Sequence, residues 1–439
     1  MDGPSTTERK QVFLHVGSPK TGTTFLQHLL WSNRQLVQDQ GLLLPLQSNF
    51  DHFLASLDLR GLSSRPQHPA RAVGIWDKAV AEGLAWDGNV LISHELFAGA
   101  TTEQAERAVT SWGDVDVRVI VTARDLGRQI PAEWQEHLKH RADFTFMRFV
   151  DELRDQGPSS RWFWSVQDFA DVCRRWGAAL PAASVHLVTV PPRGAAPEAL
   201  WRRFAGVLGL DVEQFEIKSS RANLSLNAEQ AELLRRVNQR LGERVRGPGR
   251  YPATVKEVFA QDVLAGRPGM PVALTAENRD FVLARAGRMI EELRELQVDV
   301  VGDLDDLIPE DAPPSSDGVI EHPELLPDDV LLSEAEEALA GLLDRYNLAQ
   351  IRSTEANKAD IEAAAKAQRE VARLRDELEN ATFELDELRV RYDKLIHDMR
   401  YRPGKQLIIG LTERWPLLMR LRVGYWWLVN RARALRSHA

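Results

Sequence analysis

A lysine held inside a short glycine and threonine loop is the first place where this chain could do chemistry. The run is Val12-Phe13-Leu14-His15-Val16-Gly17-Ser18-Pro19-Lys20-Thr21-Gly22-Thr23-Thr24-Phe25-Leu26-Gln27. Val12 to Val16 reads as a buried parallel strand, and Phe25, Leu26, Leu29 and Leu30 recur at helical spacing. A strand, a glycine loop and a helix start together form an anion site, because free backbone N–H groups and the positive end of the helix dipole point at one place. Gly17, Ser18, Pro19, Lys20, Thr21, Gly22, Thr23 and Thr24 are the candidate anion-binding residues.

The details suggest which anion. Gly17 and Gly22 keep the spacing of the nucleotide loop G-x-x-x-x-G-K-[ST], but Thr23 stands where that motif has its lysine. The pattern Pro19-Lys20-Thr21-Gly22-Thr23-Thr24 resembles the 5′-phosphosulfate loop of sulfotransferases, which use 3′-phosphoadenosine 5′-phosphosulfate (PAPS) as donor. A second segment resembles the same family. The β-branched run from Val115 to Thr122 ends at Arg124, which matches a strand-end arginine that holds the donor's 3′-phosphate. In the family a serine follows eight residues later; here that position is Ala132, and Arg128, one helical turn after Arg124, is a candidate substitute. Arg221 and Asn223, in a polar loop before the helix at 228–241, are candidates for a late basic loop over the same phosphate.

The resemblance implies sulfuryl transfer from PAPS to a hydroxyl or amine, with no metal. Such a transfer needs a base for the acceptor's proton. Val90-Leu91-Ile92 is a short buried strand, and Ser93-His94-Glu95 follows it, where residues of an open parallel sheet face the ligand crevice. Glu95 is the favoured base and His94 the second candidate. Lys20 would neutralise charge on the breaking S–O bond. The resemblance implies a glycan or glycolipid hydroxyl as the first choice of acceptor, with small phenols and protein tyrosines left open. The alternative readings are a P-loop-type kinase using Mg-ATP and a non-catalytic, sulfotransferase-like scaffold.

The elements that must position these residues read as an α/β fold, a P-loop-kinase-like parallel sheet with helices on both faces. Gly41 to Pro45 is a further strand or edge. Residues 47–70 read as a loop with short helical pieces beside the acceptor cleft. Helices are expected around Trp76–Leu84, Thr102–Val109, most of 133–180 with a break at Gly157-Pro158, Trp201–Leu208, Ala228–Leu241 and Phe281–Leu296; Val185 to Val190 is another strand.

Residues 11–300 carry the resemblance. Residues 301–332, acidic and proline-rich, read as a flexible linker. Within 333–402, Val371, Leu374, Leu378, Ala381, Leu385, Leu388 and Tyr392 alternate spacings of three and four, the seam of a coiled coil that would join a second copy. Residues 403–439 mix arginines with tryptophans and leucines, which suits peripheral contact with an anionic membrane. The formal charge of −9 argues against general nucleic-acid binding. A single cysteine, Cys173, allows no internal disulfide and points to a reducing compartment. With no apolar leader in 1–10 and no membrane-length apolar run, the expected location is cytoplasmic, at the inner face of the membrane if the tail binds there.

Overall fold

The computed structural model describes residues 9–158, 160–217, 225–242, 244–245, 249–310 and 318–400, together with Trp427. In chain order the elements are β1 (Gln11–Gly17), α1 (Thr23–Ser32), α2 (Arg34–Asp39), β2 (Leu42–Leu43), α3 (Asn49–Leu59), α4 (Ile75–Ala85), β3 (Asn89–Ser93), α5 (Thr102–Thr110) and β4 (Asp116–Ala123). They continue as α6 (Leu126–Lys139), α7 (Phe146–Arg154), α8 (Ser160–Gln167), α9 (Phe169–Gly177), β5 (Val185–Thr189), α10 (Ala199–Leu208), α11 (Ala228–Leu241), α12 (Ala276–Leu296), β6 (Asp299–Val301) and α13 (Asp328–Arg400). A π-wound helix, Pro252–Leu264, lies between α11 and α12.

The six strands form one parallel sheet in the order β2-β3-β1-β4-β5-β6. Alternation along β1 divides the core. Val12, Leu14 and Val16 face one side with Val90, Ile92, Val119 and Val121; Phe13 faces the other with Leu91, Ile120 and Val188. The first side is covered by the helices α3 to α9, α11 and α12, and the second by α1, α2 and α10. The expected α/β arrangement with helices on both faces is therefore the one observed. Because β1 lies between β3 and β4, the three strand ends that carry the loop, Glu95 and Arg124 come out side by side.

Two expectations need correction. Residues 47–70 carry a longer helix than expected: α3 is an eleven-residue helix capped by Ser48. Its polar residues obscured the pattern because several face inward with partners. His52 is fully buried, its Nε2 against the Pro45 carbonyl (2.9 Å) and its Nδ1 accepting from the Ser93 N–H (3.2 Å). Nor are the described parts of 301–332 a free linker. Asp306 accepts from Thr189 Oγ1 and from Arg203 Nη1, both at 2.6 Å, and Leu307 is fully buried. Farther on, Ile320 bridges Val272, and Pro323 and Leu326 are buried. The acids in this stretch thus serve partly as local partners that hold the chain against the sheet edge.

The chain forms two compact units, Met1–Arg345 and Tyr346–Ala439. In the first, the opening turns of α13 pack through buried Leu331 and Ala338, with ion pairs from Glu334 to Arg267 (3.1 Å) and from Arg345 to Asp262 (3.2 Å). In the second, the described residues continue as helix, and the seam residues Val371, Leu374 and Leu378 are each about half exposed. The basic tail at 403–439 lies outside the described residues apart from Trp427, and no described helix is long and apolar enough to cross a membrane.

Gly17 closes β1 at φ +122°, and a Cβ there would lie 2.7 Å from the Glu95 carbonyl oxygen. Both the backbone angle and the close approach require glycine. Gly17→Ala is expected to cost about 1–3 kcal/mol of stability, read as a lower denaturation midpoint.

Candidate active site

The loop after β1 is fixed from behind. The Ser18 N–H donates to the Thr122 carbonyl (2.9 Å), and the Thr21 hydroxyl donates to the Ser18 carbonyl (2.6 Å) and lies 2.5 Å from Thr122 Oγ1. The Pro19 carbonyl accepts from Gln129 Nε2 (2.6 Å) and Gln167 Nε2 (3.1 Å). Ser18 and Thr21 are consequently buried, and with Gly17 they support the loop from beneath. Pro19, Lys20, Gly22, Thr23 and Thr24 line a cleft of about 760 Å³. Gly22 precedes α1 at φ +86°, where a Cβ would strike Leu200, and the first intrahelical bond runs from Leu26 N to the Gly22 carbonyl. The N–H groups of residues 23–25 are therefore left without helical acceptors at the cleft.

The wall after β3 carries His94, Glu95 and Leu96, with Phe53 from α3 and Trp162 from α8 nearby. Glu95 Oε2 accepts from Gln27 Nε2 (3.1 Å), and Gln27 Oε1 accepts from Asn49 Nδ2 (3.1 Å). His94 Nδ1 accepts the Leu96 N–H (3.2 Å), which places the ring proton of a neutral imidazole on Nε2, 4.0 Å from Glu95 Oε2. Burial pushes the His94 pKa below its usual value, and Arg60 adds to this. Burial alone would raise Glu95; His94, the residue's own backbone N–H, Gln27 and His15 outweigh it and hold the carboxyl below the usual range. Glu95 is thus an ionised, oriented carboxylate at neutral pH.

The opposite wall comes from the end of β4 and from α6. Arg124 donates from Nε to Gln129 Oε1 (2.9 Å) and from Nη2 to the Arg128 carbonyl (3.2 Å); burial lowers its pKa to about 10, so it stays charged. Lys20 pairs with Glu136, which also accepts from Lys256 (2.7 Å) and lies 3.0 Å from His140 Nε2. Burial opposes ionisation of Glu136, but His140, Lys20 and Lys256 together bring its pKa far below the carboxylate range. Lys139 is 5 % exposed, lines the same cleft and is lowered to about 8, by burial first and then by Lys20 and Lys256. Glu133 is also 5 % exposed, and burial pushes it up to about 7 against the pull of Lys20 and Arg124.

One cleft therefore brings together the Lys20 loop, His94, Glu95 and Arg124, and Ala132 lies on it where a serine was expected. Arg128 does not join them. It is held by Asp125 and donates from Nη1 to the Pro191 carbonyl (3.0 Å), which makes it a clamp on the start of α6. Arg221 and Asn223 lie outside the described residues. Glu133, Glu136, Lys139 and Lys256 were missed. The α6 residues fall at helical spacing on one face, a signal hidden within a helix read for its aromatic core, and Lys256 enters from a distant segment with no motif. Among the described residues no group of three His, Cys, Asp or Glu side chains is disposed to hold a metal ion. A larger cavity of about 900 Å³ lies between α7, α8 and α12, where Arg154 pairs with Asp151 (2.9 Å) and Arg285 with Asp168 (2.5 Å).

No protein-family model matches the chain, and no curated protein matches it. Among solved structures, the crystal structure of a sulfotransferase from Alicyclobacillus acidocaldarius aligns at 13% identity with a TM-score of 0.37, covering 65% of this chain and 94% of that one.

The raised Glu133 pKa has a consequence for stability. The folded chain keeps a proton on Glu133 that the unfolded chain releases near the ordinary carboxylate value. This contribution is full below the unfolded pKa and is lost as pH rises through about 7. Glu133→Gln, which stays neutral, should gain melting temperature over wild type between about pH 4.5 and 7, with the difference level above that. Thermal melts across that range check it.

Proposed function

We propose that the chain transfers a sulfuryl group from PAPS to a hydroxyl or amine of an acceptor. The observation that supports this most directly is the single cleft in which the Lys20 loop, the start of α1, Arg124 and Glu95 meet. A donor with phosphate at both ends of one adenosine needs two cation sites on one crevice, and Lys20 and Arg124 supply them. The donor brings a sulfur already bonded to a phosphate leaving group. Lys20 and the N–H groups at the start of α1 hold that phosphate and balance the charge that collects on it as the S–O bond breaks. Glu95, aligned by Gln27 and His94, takes the acceptor's proton as the new bond to sulfur forms. Arg124 holds the 3′-phosphate with its planar fork.

Phe53 and Trp162, beside Glu95, offer apolar faces to a sugar ring, which supports a glycan or glycolipid as acceptor. The half-exposed heptad seam of α13 supports self-association of two copies, with charged residues flanking the apolar positions.

Calorimetric titration with adenosine 3′,5′-bisphosphate (PAP) and with ATP, each with and without Mg²⁺, tests the donor. Metal-independent PAP binding, weakened by Lys20→Ala and Arg124→Ala, is the expected result; Mg²⁺-dependent ATP binding in its place would point to a kinase. Glu95→Gln should keep PAP affinity and lower turnover by about 10²–10⁴-fold. PAP binding by a wild-type chain that transfers to no acceptor would favour the scaffold. Sedimentation of the full chain should show a dimer that Leu374→Glu with Leu378→Glu converts to monomer.

A further inference from the structure

Glu133 has no role in the scheme above, yet it sits within the cleft. It follows Ala132 on α6, is 5 % exposed, and its Oε2 is buried with no hydrogen-bond partner. No hydrogen bond or ion pair joins its side chain to another described residue, although the charges of Lys20 and Arg124 both act on it. A buried carboxyl oxygen left without a partner is costly, and a site that keeps one has a use for it when a ligand arrives. The ligand proposed for this cleft is an anion. An ionised Glu133 would repel a phosphate drawn in by Arg124, whereas the neutral acid offers an O–H to a phosphate oxygen.

We propose that Glu133, in its neutral form, donates a hydrogen bond to the phosphate that Arg124 holds, in place of the hydroxyl absent at Ala132, so that donor binding is coupled to a proton. The inference rests on the PAPS reading of the site. The groups that face Glu133 are Lys20 from the β1 loop, Arg124 from the end of β4, and Glu136 from α6 itself; Lys139 and Lys256 lie beyond Glu136. The two cations favour ionisation. Burial and Glu136 oppose it, and the balance leaves the free carboxyl titrating at about 7. A bound phosphate adds negative charge beside it and holds the proton on to higher pH. Affinity should therefore be flat below about pH 7 and fall by about tenfold per pH unit above it, as each binding event takes up a proton. The ligand's own phosphate monoester protons are mostly gone above about pH 6, so they do not obscure this window.

The test is calorimetry of PAP binding to the full chain at about pH 8, in two buffers of different protonation enthalpy, for wild type and Glu133→Gln. The expected result is wild-type proton uptake exceeding that of the variant by most of one proton. The variant should bind at that pH more tightly than wild type. Lys139 titrates near this pH in both proteins and cancels in the comparison. A carboxylic-acid C=O band appearing on PAP binding in difference infrared spectra, and absent from Glu133→Gln, is the second readout and needs only a folded wild type. Equal proton uptake in the two proteins, or no such band in wild type, would overturn the inference while leaving PAP as the ligand. Failure of wild type to bind PAP under any condition would instead remove the donor assignment, and this inference with it.

Discussion

Lys20 is tied to Glu136, and through that contact the glycine loop of β1 is joined to the wall formed by α6. Lys256 and His140 converge on the same carboxylate, and Lys139 stands beside it. Like charges this close in a half-buried cleft repel far more than they would in water. Glu136 lets Lys20, Lys139 and Lys256 coexist there, and it keeps the loop lysine extended towards the ligand space.

The remaining geometry follows from strand order. With β1 between β3 and β4, the Lys20 loop, Glu95 and Arg124 leave neighbouring strand ends and need no long excursions of chain to meet. Gln27 extends this economy. It lies on the first turns of α1 and reaches Glu95, so the helix whose N-terminus opens on the cleft also orients that carboxylate. Asn49 continues the link to α3, the helix that brings Phe53 to the cleft.

Much of this was legible in the residues. The apolar run at Val12–Val16 and the β-branched run at Val115–Thr122 read as strands because burial on both sheet faces fills them with large apolar residues, with few polar interruptions. Lys20, Glu95 and Arg124 could be expected on one cleft because each closely follows a strand run, Glu95 the one at Val90–Ile92. α3 was missed because Asp51, His52 and Ser56 are polar yet buried, each paid for by a specific hydrogen bond that no periodicity reveals. β6 was missed because three residues, half exposed, carry too little pattern. Lys256 and Glu136 meet from positions 120 residues apart, and only the fold shows that they share a site. Arg128 does not line the cleft for a local reason: Asp125, three residues earlier, and the Pro191 carbonyl hold its guanidinium.

The close approach of Gly17 to the Glu95 carbonyl, too tight to admit a Cβ, joins the loop after β1 to the turn after β3. Neither segment can shift without disturbing the other. Because α3 and α8 also pack on the turn that carries Glu95, a change in the shape of this cleft is left to the side chains on its rim.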